Sequence, residues 1–144
     1  MLSKSSEYGI KAIIYLTKFE RNERVDLKSI AENIDSPVAF TSKILQKLVK
    51  ANLILSIKGK GGGFSVDSSR RKQLTVWDII YALEGDDLQN RCVLGLSTCS
   101  SSKPCPAHSE FVAVRSTYLN FFKETTILSL TDSYTKGLSS LVLK

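Results

Sequence analysis

The chain has 144 residues, of which 42% are hydrophobic and 24% charged, and its formal net charge is +6 at pH 7. This is the size of one domain with its own core, and the balance of apolar and charged residues excludes a wholly disordered chain. No apolar run approaches the roughly 20 residues of a membrane-spanning helix, and the N-terminus lacks the cleavage site of a signal peptide. We therefore expect a cytoplasmic protein with no membrane partner.

The positive charge is confined to the first half of the chain. Residues 1–74 carry 14 Lys or Arg against 7 Asp or Glu, whereas residues 75–144 carry 6 against 7. Over residues 36–72 eight basic side chains face only Asp67. Such a local excess is the electrostatic signature of a polyanion site, while scattered lysines often do no more than solvate a surface. Charge alone leaves both interpretations open.

Three helices are predicted before residue 51. Apolar residues at helical spacing predict the first over residues 6–19. Asp26 is a typical N-cap for a short second helix that stops before Pro37, since proline cannot continue a helix but suits the first turn of the next one. The third is predicted over about residues 37–51, with one apolar and one polar, basic side. Two helices joined by a tight turn, the second with a polar and basic outer face, describe a helix-turn-helix.

A β-hairpin is predicted directly after the third helix. Residues 53–57 and 64–66 have strand propensity, and the glycine-rich sequence KGKGGG lies between them. A helix-turn-helix followed by a hairpin with a basic tip is a winged helix. The glycine run lacks the GxxxxGKS/T spacing of a nucleotide-binding loop. A flexible hairpin that binds nothing is the alternative.

The winged helix predicts which side chains contact double-stranded DNA. Those expected near base edges are Ser36, Thr41, Ser42, Lys43 and Gln46. Those expected at phosphates or in the minor groove are Lys47, Lys50, Lys58 and Lys60. Two such heads in a dimer suit a pseudo-palindromic operator with half-sites about one helical turn apart.

A core helix follows the hairpin, with Thr75 as its N-cap and Gly85 as its end. After a loop, Ser109 is expected to cap a long helix. Its apolar side chains at spacings of 3, 4 and 3 residues form a seam, which consists of Phe111, Val114, Tyr118 and Phe121. This heptad-like pattern predicts packing against a second copy of the chain, and a helix buried within one subunit is the alternative.

The end of the chain predicts one more short helix. Either Thr126 or Ser129 is expected to cap it, and Gly137 is expected to end it.

All three cysteines and the only histidine lie in one polar segment, CVLGLSTCSSSKPCPAH, over residues 92–108. Its two prolines and its lack of periodicity predict a loop, and long loops in compact domains are often functional. The candidate metal ligands are Cys92, Cys99, Cys105 and His108, since thiolates and imidazole suit soft metals and iron–sulfur clusters. Gaps of six and five residues exceed the spacing of zinc knuckles and favour a cluster. A zinc site and a metal-free thiol sensor stay open as alternatives.

The sequence does not predict an enzyme. A Cys–His nucleophile is formally possible at His108, but no nucleophile elbow, phosphate loop or paired carboxylate motif accompanies it. A winged-helix regulator that responds to a small molecule or a partner protein is a further alternative. Colour separates it from a cluster sensor, because a cluster protein purified without oxygen is brown.

Together these stretches resemble the IscR/NsrR type of winged-helix transcription regulators, the Rrf-two family. The matching sequences are YGIKAIIYL, LKSIAENIDSPVAFTSKILQKLVKANLI, SIKGKGGGFSV and LTVWDIIYALEG, followed by the cysteine triplet, over about residues 6–125. The resemblance implies a homodimeric DNA-binding regulator, expected to be a repressor, that senses iron, redox state or nitric oxide through an iron–sulfur cluster.

The resemblance also implies the cluster ligands. In iron–sulfur members the three cysteines hold a [2Fe–2S] or [4Fe–4S] cluster, of which we favour [2Fe–2S]. In one branch a histidine three residues after the last cysteine completes the set, as His108 would here, and Glu7 of the partner subunit is the reserve. Ser42 stands where the iron–sulfur-assembly regulator often has glutamate, so the operator sequence of that regulator does not transfer.

We therefore predict a mainly α fold with a small β-hairpin, divided into three parts. Residues 1–85 form a winged helix-turn-helix DNA-binding domain, and residues 86–108 form a cysteine-rich sensor loop. Residues 109–144 form a dimerisation helix and a C-terminal tail.

Overall fold

The computed structural model describes residues 2–21 and 23–137. In chain order its elements are α1 (Lys4–Thr17), α2 (Leu27–Asn33), α3 (Val38–Lys50), β1 (Ile54–Ile57), β2 (Gly63–Val66), α4 (Val76–Glu84), α5 (Asp87–Asn90), α6 (His108–Glu124) and α7 (Ile127–Thr135). The predicted mainly α fold with one β-hairpin is confirmed. None of the described helices is long and apolar enough to cross a membrane. The predicted C-terminal tail, residues 138–144, lies outside the described residues.

Helix α1 is the centre of the fold. Every residue from 12 to 17 is buried, because α2, α3, α4, α7 and β2 all pack around this helix. The sequence predicted a single apolar stripe, but a helix that is surrounded buries all of its faces. Gly9 lets α4 approach closely, since a Cβ there would lie 2.5 Å from Cδ1 of Leu83.

The predicted N-caps of α2 and α4 are confirmed. The Asp26 side chain accepts the N–H of Ser29 at the start of α2. Thr75 and Asp78 form a reciprocal capping box at the start of α4, and Gly85 follows that helix with a φ of 68°. A left-handed φ of this kind favours glycine.

In the second half of the chain, the first residues of the helices differ from the sequence prediction. Ser109 is not the cap of the long helix, because the turn closed by the His108 N–H and the Cys105 carbonyl (3.0 Å) leads directly into α6. Of the two candidates for α7, Thr126 is the cap, and its side chain accepts the Ser129 N–H. Residues 86–108 also contain the short helix α5, which periodicity did not predict.

The hairpin pairs β1 with β2 in antiparallel register, with Ile54 opposite Val66. Val25 forms an additional bridge to Phe64 on the other edge of β2, through hydrogen bonds of 2.9 and 2.8 Å. Gly63 has a φ of 138°, and a Cβ there would lie 2.7 Å from the Val25 carbonyl oxygen. The wing is therefore fixed to the segment that precedes α2.

The apolar core runs through the first and last parts of the chain. Phe122 of α6 and Ile127 of α7 belong to the same cluster as the buried side chains of α1 to α4. Thr75 and Thr126 form a β-bridge, and α7 packs along α1. The C-terminal helices thus share the core of the winged helix.

Candidate nucleic-acid interface and cysteine loop

Helix α3 has one buried and one polar side. The buried side chains are Thr41, Ile44, Leu45 and Leu48. The exposed ones are Val38, Ala39, Lys43, Gln46, Lys47 and Lys50. Ser42 is half-buried, and its hydroxyl accepts a hydrogen bond of 3.2 Å from Nε2 of Gln46. The polar side therefore presents lysines together with an amide and a hydroxyl, the groups that contact phosphates and base edges.

Two residues expected at base edges are placed differently. Thr41 is 0% exposed, and its hydroxyl donates to the Pro37 carbonyl at 3.0 Å, so it cannot reach a base edge in this conformation. Ser36 is half-buried in the turn between α2 and α3, and its N–H donates to the Ala31 carbonyl at 3.0 Å. Thr41 is therefore part of the core of the helix-turn-helix. Ser36 stabilises the turn between its two helices.

The wing lies beside the polar side of α3. Lys58 and Lys60 are both exposed at the hairpin turn. A groove of about 640 Å³ separates the wing from α3, and its lining includes Ser42, Gln46 and Lys58. Helix α3 and the wing therefore flank one continuous surface, which polar and apolar side chains line together.

Arg24 is a basic residue of this surface that the sequence did not single out. It is exposed, and its Nη1 donates to the Gly61 carbonyl at the wing tip at 3.3 Å. The bridge between Val25 and Phe64 brings it there. That bridge joins distant residues, so no local pattern reveals it.

The cysteine loop arranges the four candidate ligands as two pairs. None of the cysteines is in a disulfide; Cys92 is buried, and Cys99 and Cys105 are half-buried. Sγ of Cys99 lies 3.3 Å from Nδ1 of His108, and the Cys92 thiol neighbours that of Cys105 closely enough for each to shift the pKa of the other. No three His, Cys, Asp or Glu side chains among residues 2–21 and 23–137 converge as the ligands of one metal ion. This arrangement is unlike the closed tetrahedral set of a structural zinc site.

The two thiols of one pair differ in acidity. The backbone N–H of Leu96 lowers the pKa of the Cys92 thiol, and the N–H groups of Leu94 and Gly95 and the Cys105 thiol act in the same direction. Burial raises the pKa of Cys105, and the neighbouring Cys92 adds to the effect. Hydrogen bonds to a thiolate stabilise its charge. Cys92 is therefore the more easily deprotonated of the pair.

Helix α6 packs beside this loop and buries little of itself. Phe122 is its one buried residue. Within the predicted seam, Val114 and Phe121 are 59% and 57% exposed, whereas Phe111 and Tyr118 are half-buried. A cavity of about 420 Å³ separates α6 from the loop. The apolar seam and the loop thus lie on one exposed side of the molecule.

The reserve ligand, Glu7, lies in the first turn of α1. Its carboxylate forms an ion pair of 2.6 Å with Lys4, which lowers the pKa of Glu7.

A winged helix with a basic outer face on α3 is typical of DNA-binding transcription regulators. Residues 2–133 match the family model described as Rrf2, iron-dependent transcriptional regulator. The chain belongs to the Rrf2 family.

Relatives and solved structures agree with this family. The chain is 33% identical over 140 residues, or 96% of each chain, to a protein of Aquifex aeolicus (strain VF5) classed as a helix-turn-helix-type transcriptional regulator. The structure of T. potens IscR superposes with a TM-score of 0.75 at 23% identity, covering 97% of this chain and 92% of that one. The oxidized form of Staphylococcus aureus CymR gives a TM-score of 0.72 at 25% identity, covering 91% and 95%.

Proposed function

We propose that this Rrf2-family regulator is a homodimeric, cytoplasmic repressor whose DNA affinity is set by an iron–sulfur cluster on the cysteine loop. The signal would be iron, redox state or nitric oxide. The observation that carries the proposal is the gathering of all four soft donors into two adjacent pairs beside α6.

Two pairs of donors suit a [2Fe–2S] cluster, in which each iron takes two protein ligands. Cys92 and Cys105 would bind one iron, and Cys99 and His108 the other. A bound cluster would supply a centre whose presence or oxidation state changes the loop. Glu7 of the partner subunit stays the alternative to His108.

The polar side of α3 and the wing would share the work on DNA. Ser42, Lys43 and Gln46 would approach base edges in a major groove. The phosphate contacts would come from Lys47, Lys50, Lys58 and Lys60, to which we add Arg24.

The exposed apolar seam of α6 supports dimerisation. Large apolar side chains such as Val114 and Phe121 are more than half exposed in one chain, and burying them against a symmetry mate is favourable. Two heads joined through α6 would read a pseudo-palindromic operator. The cysteine loop would then lie next to the dimer interface.

The cluster is tested by purifying the protein without oxygen. We expect a brown protein with about two irons and two sulfides per chain, and about half of that or less for Cys99→Ala. Ser100→Ala, one position along the same loop, is the matched control and should keep the wild-type content. A colourless protein that stays free of iron after reconstitution with ferrous iron and sulfide would contradict the proposal.

The proximity of the Cys92 and Cys105 thiols, each of which shifts the pKa of the other, supports a second candidate, a sensor of thiol oxidation. With hydrogen peroxide as the oxidant, the two thiols would lose two protons and two electrons to form one disulfide, and the peroxide would be reduced to two waters. Mass spectrometry would show the loss of two hydrogens, and Cys105→Ser should prevent it. This candidate replaces the first if the protein holds no cluster but its DNA affinity changes reversibly on disulfide formation.

A further inference from the structure

The backbone directly before Cys92 is bound to α6 by one side chain. The guanidinium of Arg115 donates from Nη1 to the Gln89 carbonyl at 2.9 Å and from Nη2 to the Arg91 carbonyl at 2.8 Å. A planar guanidinium can bridge two acceptors in a fixed geometry, which a single ammonium group cannot do. Arg115 therefore sets the position of residues 89–91 relative to α6.

The backbone of residues 89–91 is also hydrogen-bonded to the cysteine loop. The N–H of Cys99 donates to the Asn90 carbonyl at 3.1 Å. The Asn90 carbonyl lies between the two that accept from Arg115. Of three successive carbonyls, the first and third therefore accept from α6 and the middle one from the cysteine loop. A movement of Cys99 would turn the Asn90 peptide and disturb the acceptors on either side.

Arg115 is itself tightly held. Its guanidinium carbon lies 5.0 Å from the centroid of the Phe111 ring, one turn earlier on α6. Its Nε is fully buried and has no hydrogen-bond partner among the described residues. A side chain restrained in this way passes on a displacement of its acceptors instead of absorbing it by changing rotamer.

Arg115 also adjoins the exposed seam. Val114 precedes it, and Tyr118 follows one turn later on the same helix. A shift of α6 caused through Arg115 would therefore reach the surface on which the two subunits are proposed to meet.

We propose that Arg115 is a positioning residue that couples the state of the cysteine loop to α6, and through α6 to the spacing of the two DNA-reading heads. The coupling rests on the proposed function, since it requires a loop with two states. Its bistable element is the junction of residues 89–91, Arg115 and the Cys99 N–H.

The test compares Arg115→Lys with wild type and with Arg91→Lys as the matched control. Arg91 is exposed, and its backbone carbonyl, which Arg115 holds, is retained in the control. Each protein is prepared metal-free and after reconstitution with ferrous iron and sulfide. Affinity is measured for a duplex selected by the wild type from a random library, and hydrogen exchange is followed in α6.

Wild type and Arg91→Lys should show the same ratio of DNA affinities between the two forms, within the usual 5- to 150-fold range of coupling. Arg115→Lys should keep its iron content and its metal-free affinity, but its ratio should fall at least about threefold toward one. Reconstitution should change the exchange of α6 amides in wild type and leave them unchanged in Arg115→Lys.

Three results would overturn the inference. The first is a wild-type ratio for Arg115→Lys, and the second is an α6 exchange pattern in that variant that responds to reconstitution as wild type does. The third is loss of iron from Arg115→Lys alone, because Arg115 would then shape the metal site and not its connection to α6. Equal affinities of the two wild-type forms would instead refute the proposed sensing, and the exchange measurement would still decide the coupling.

Discussion

Helices α3 and α6 are the two that we expect to contact another molecule. They differ in how many of their side chains are buried within one chain. The 13 residues of α3 include four buried side chains, whereas the 17 residues of α6 include one, Phe122. The outer side of α3 is polar and charged, while that of α6 exposes Val114 and Phe121. The apolar side of α3 is therefore covered within one chain, whereas α6 leaves large apolar side chains exposed, which we propose that a second copy covers.

We expect the largest effect in the core under α3. Leu48 is 0% exposed, so Leu48→Ala should lower the free energy of unfolding by about 2–5 kcal/mol. Val38→Ala, on the 46% exposed side chain at the start of the same helix, should change it by less than about 0.5 kcal/mol. Denaturant titration measures both. Equal losses would mean that α3 is not anchored as described.

A charge on the seam of α6 should separate the subunits without unfolding them. Phe121→Glu places a carboxylate on a 57% exposed apolar position, and we expect a monomer by analytical ultracentrifugation. Operator affinity should fall roughly 100-fold, because two linked heads bind far more tightly than one. Val112→Glu, exposed on α6 but off the seam, is the control. If the Phe121→Glu protein were still a dimer, the seam of α6 would not be the dimer interface.

The wing should contribute charge and not sequence selectivity. Lys58→Ala should weaken binding to every duplex several-fold and reduce the slope of log affinity against log salt by about one unit. Lys136→Ala, an exposed lysine at the end of α7, should leave the slope unchanged. If the salt slope of Lys58→Ala equalled that of wild type, Lys58 would not contact a phosphate.

The smallest effect is expected at Glu84, the last residue of α4, which contacts the start of α1. Burial alone would raise the pKa of this carboxyl, but hydrogen bonds from Ser3 and Ser6 outweigh it and hold the pKa below its usual value. A lowered folded pKa stabilises the protein above the unfolded value of about 4.3 and ceases to do so as pH falls through the folded value.

Glu84→Gln should therefore lower the free energy of unfolding at pH 7 by about 1 kcal/mol, and the difference from wild type should shrink below about pH 4. Glu110→Gln, at an exposed carboxyl in the first turn of α6, is the control. A difference that is constant with pH would mean that the charge of Glu84 does not matter.

Sequence patterns predicted the head well because its signals are local. The caps Asp26 and Thr75 act within one turn, and so their chemistry is visible in a short window. Thr41 was misplaced because its polar side chain suggested a surface, although it lies three, four and seven residues before the buried residues of α3. Helical spacing outweighs polarity when the hydroxyl can bond to its own backbone.

The sensing half was predictable only in its residue types. Collecting three cysteines and His108 in one loop suggested a metal site, but their arrangement as pairs depends on how the loop folds back on α6. The bonds from Arg115 to Gln89 and Arg91 cross more than 20 residues of chain. No periodicity or capping rule encodes such contacts, which arise from tertiary packing.

The most direct test of the account is the DNA affinity of the wild type in its two forms. The cluster-bound protein and the same preparation made metal-free are titrated against one selected duplex at one salt concentration. We predict affinities that differ by at least about fivefold. Equal affinities would show that the cysteine loop does not control DNA binding, and would leave this protein a winged-helix regulator without the proposed sensor.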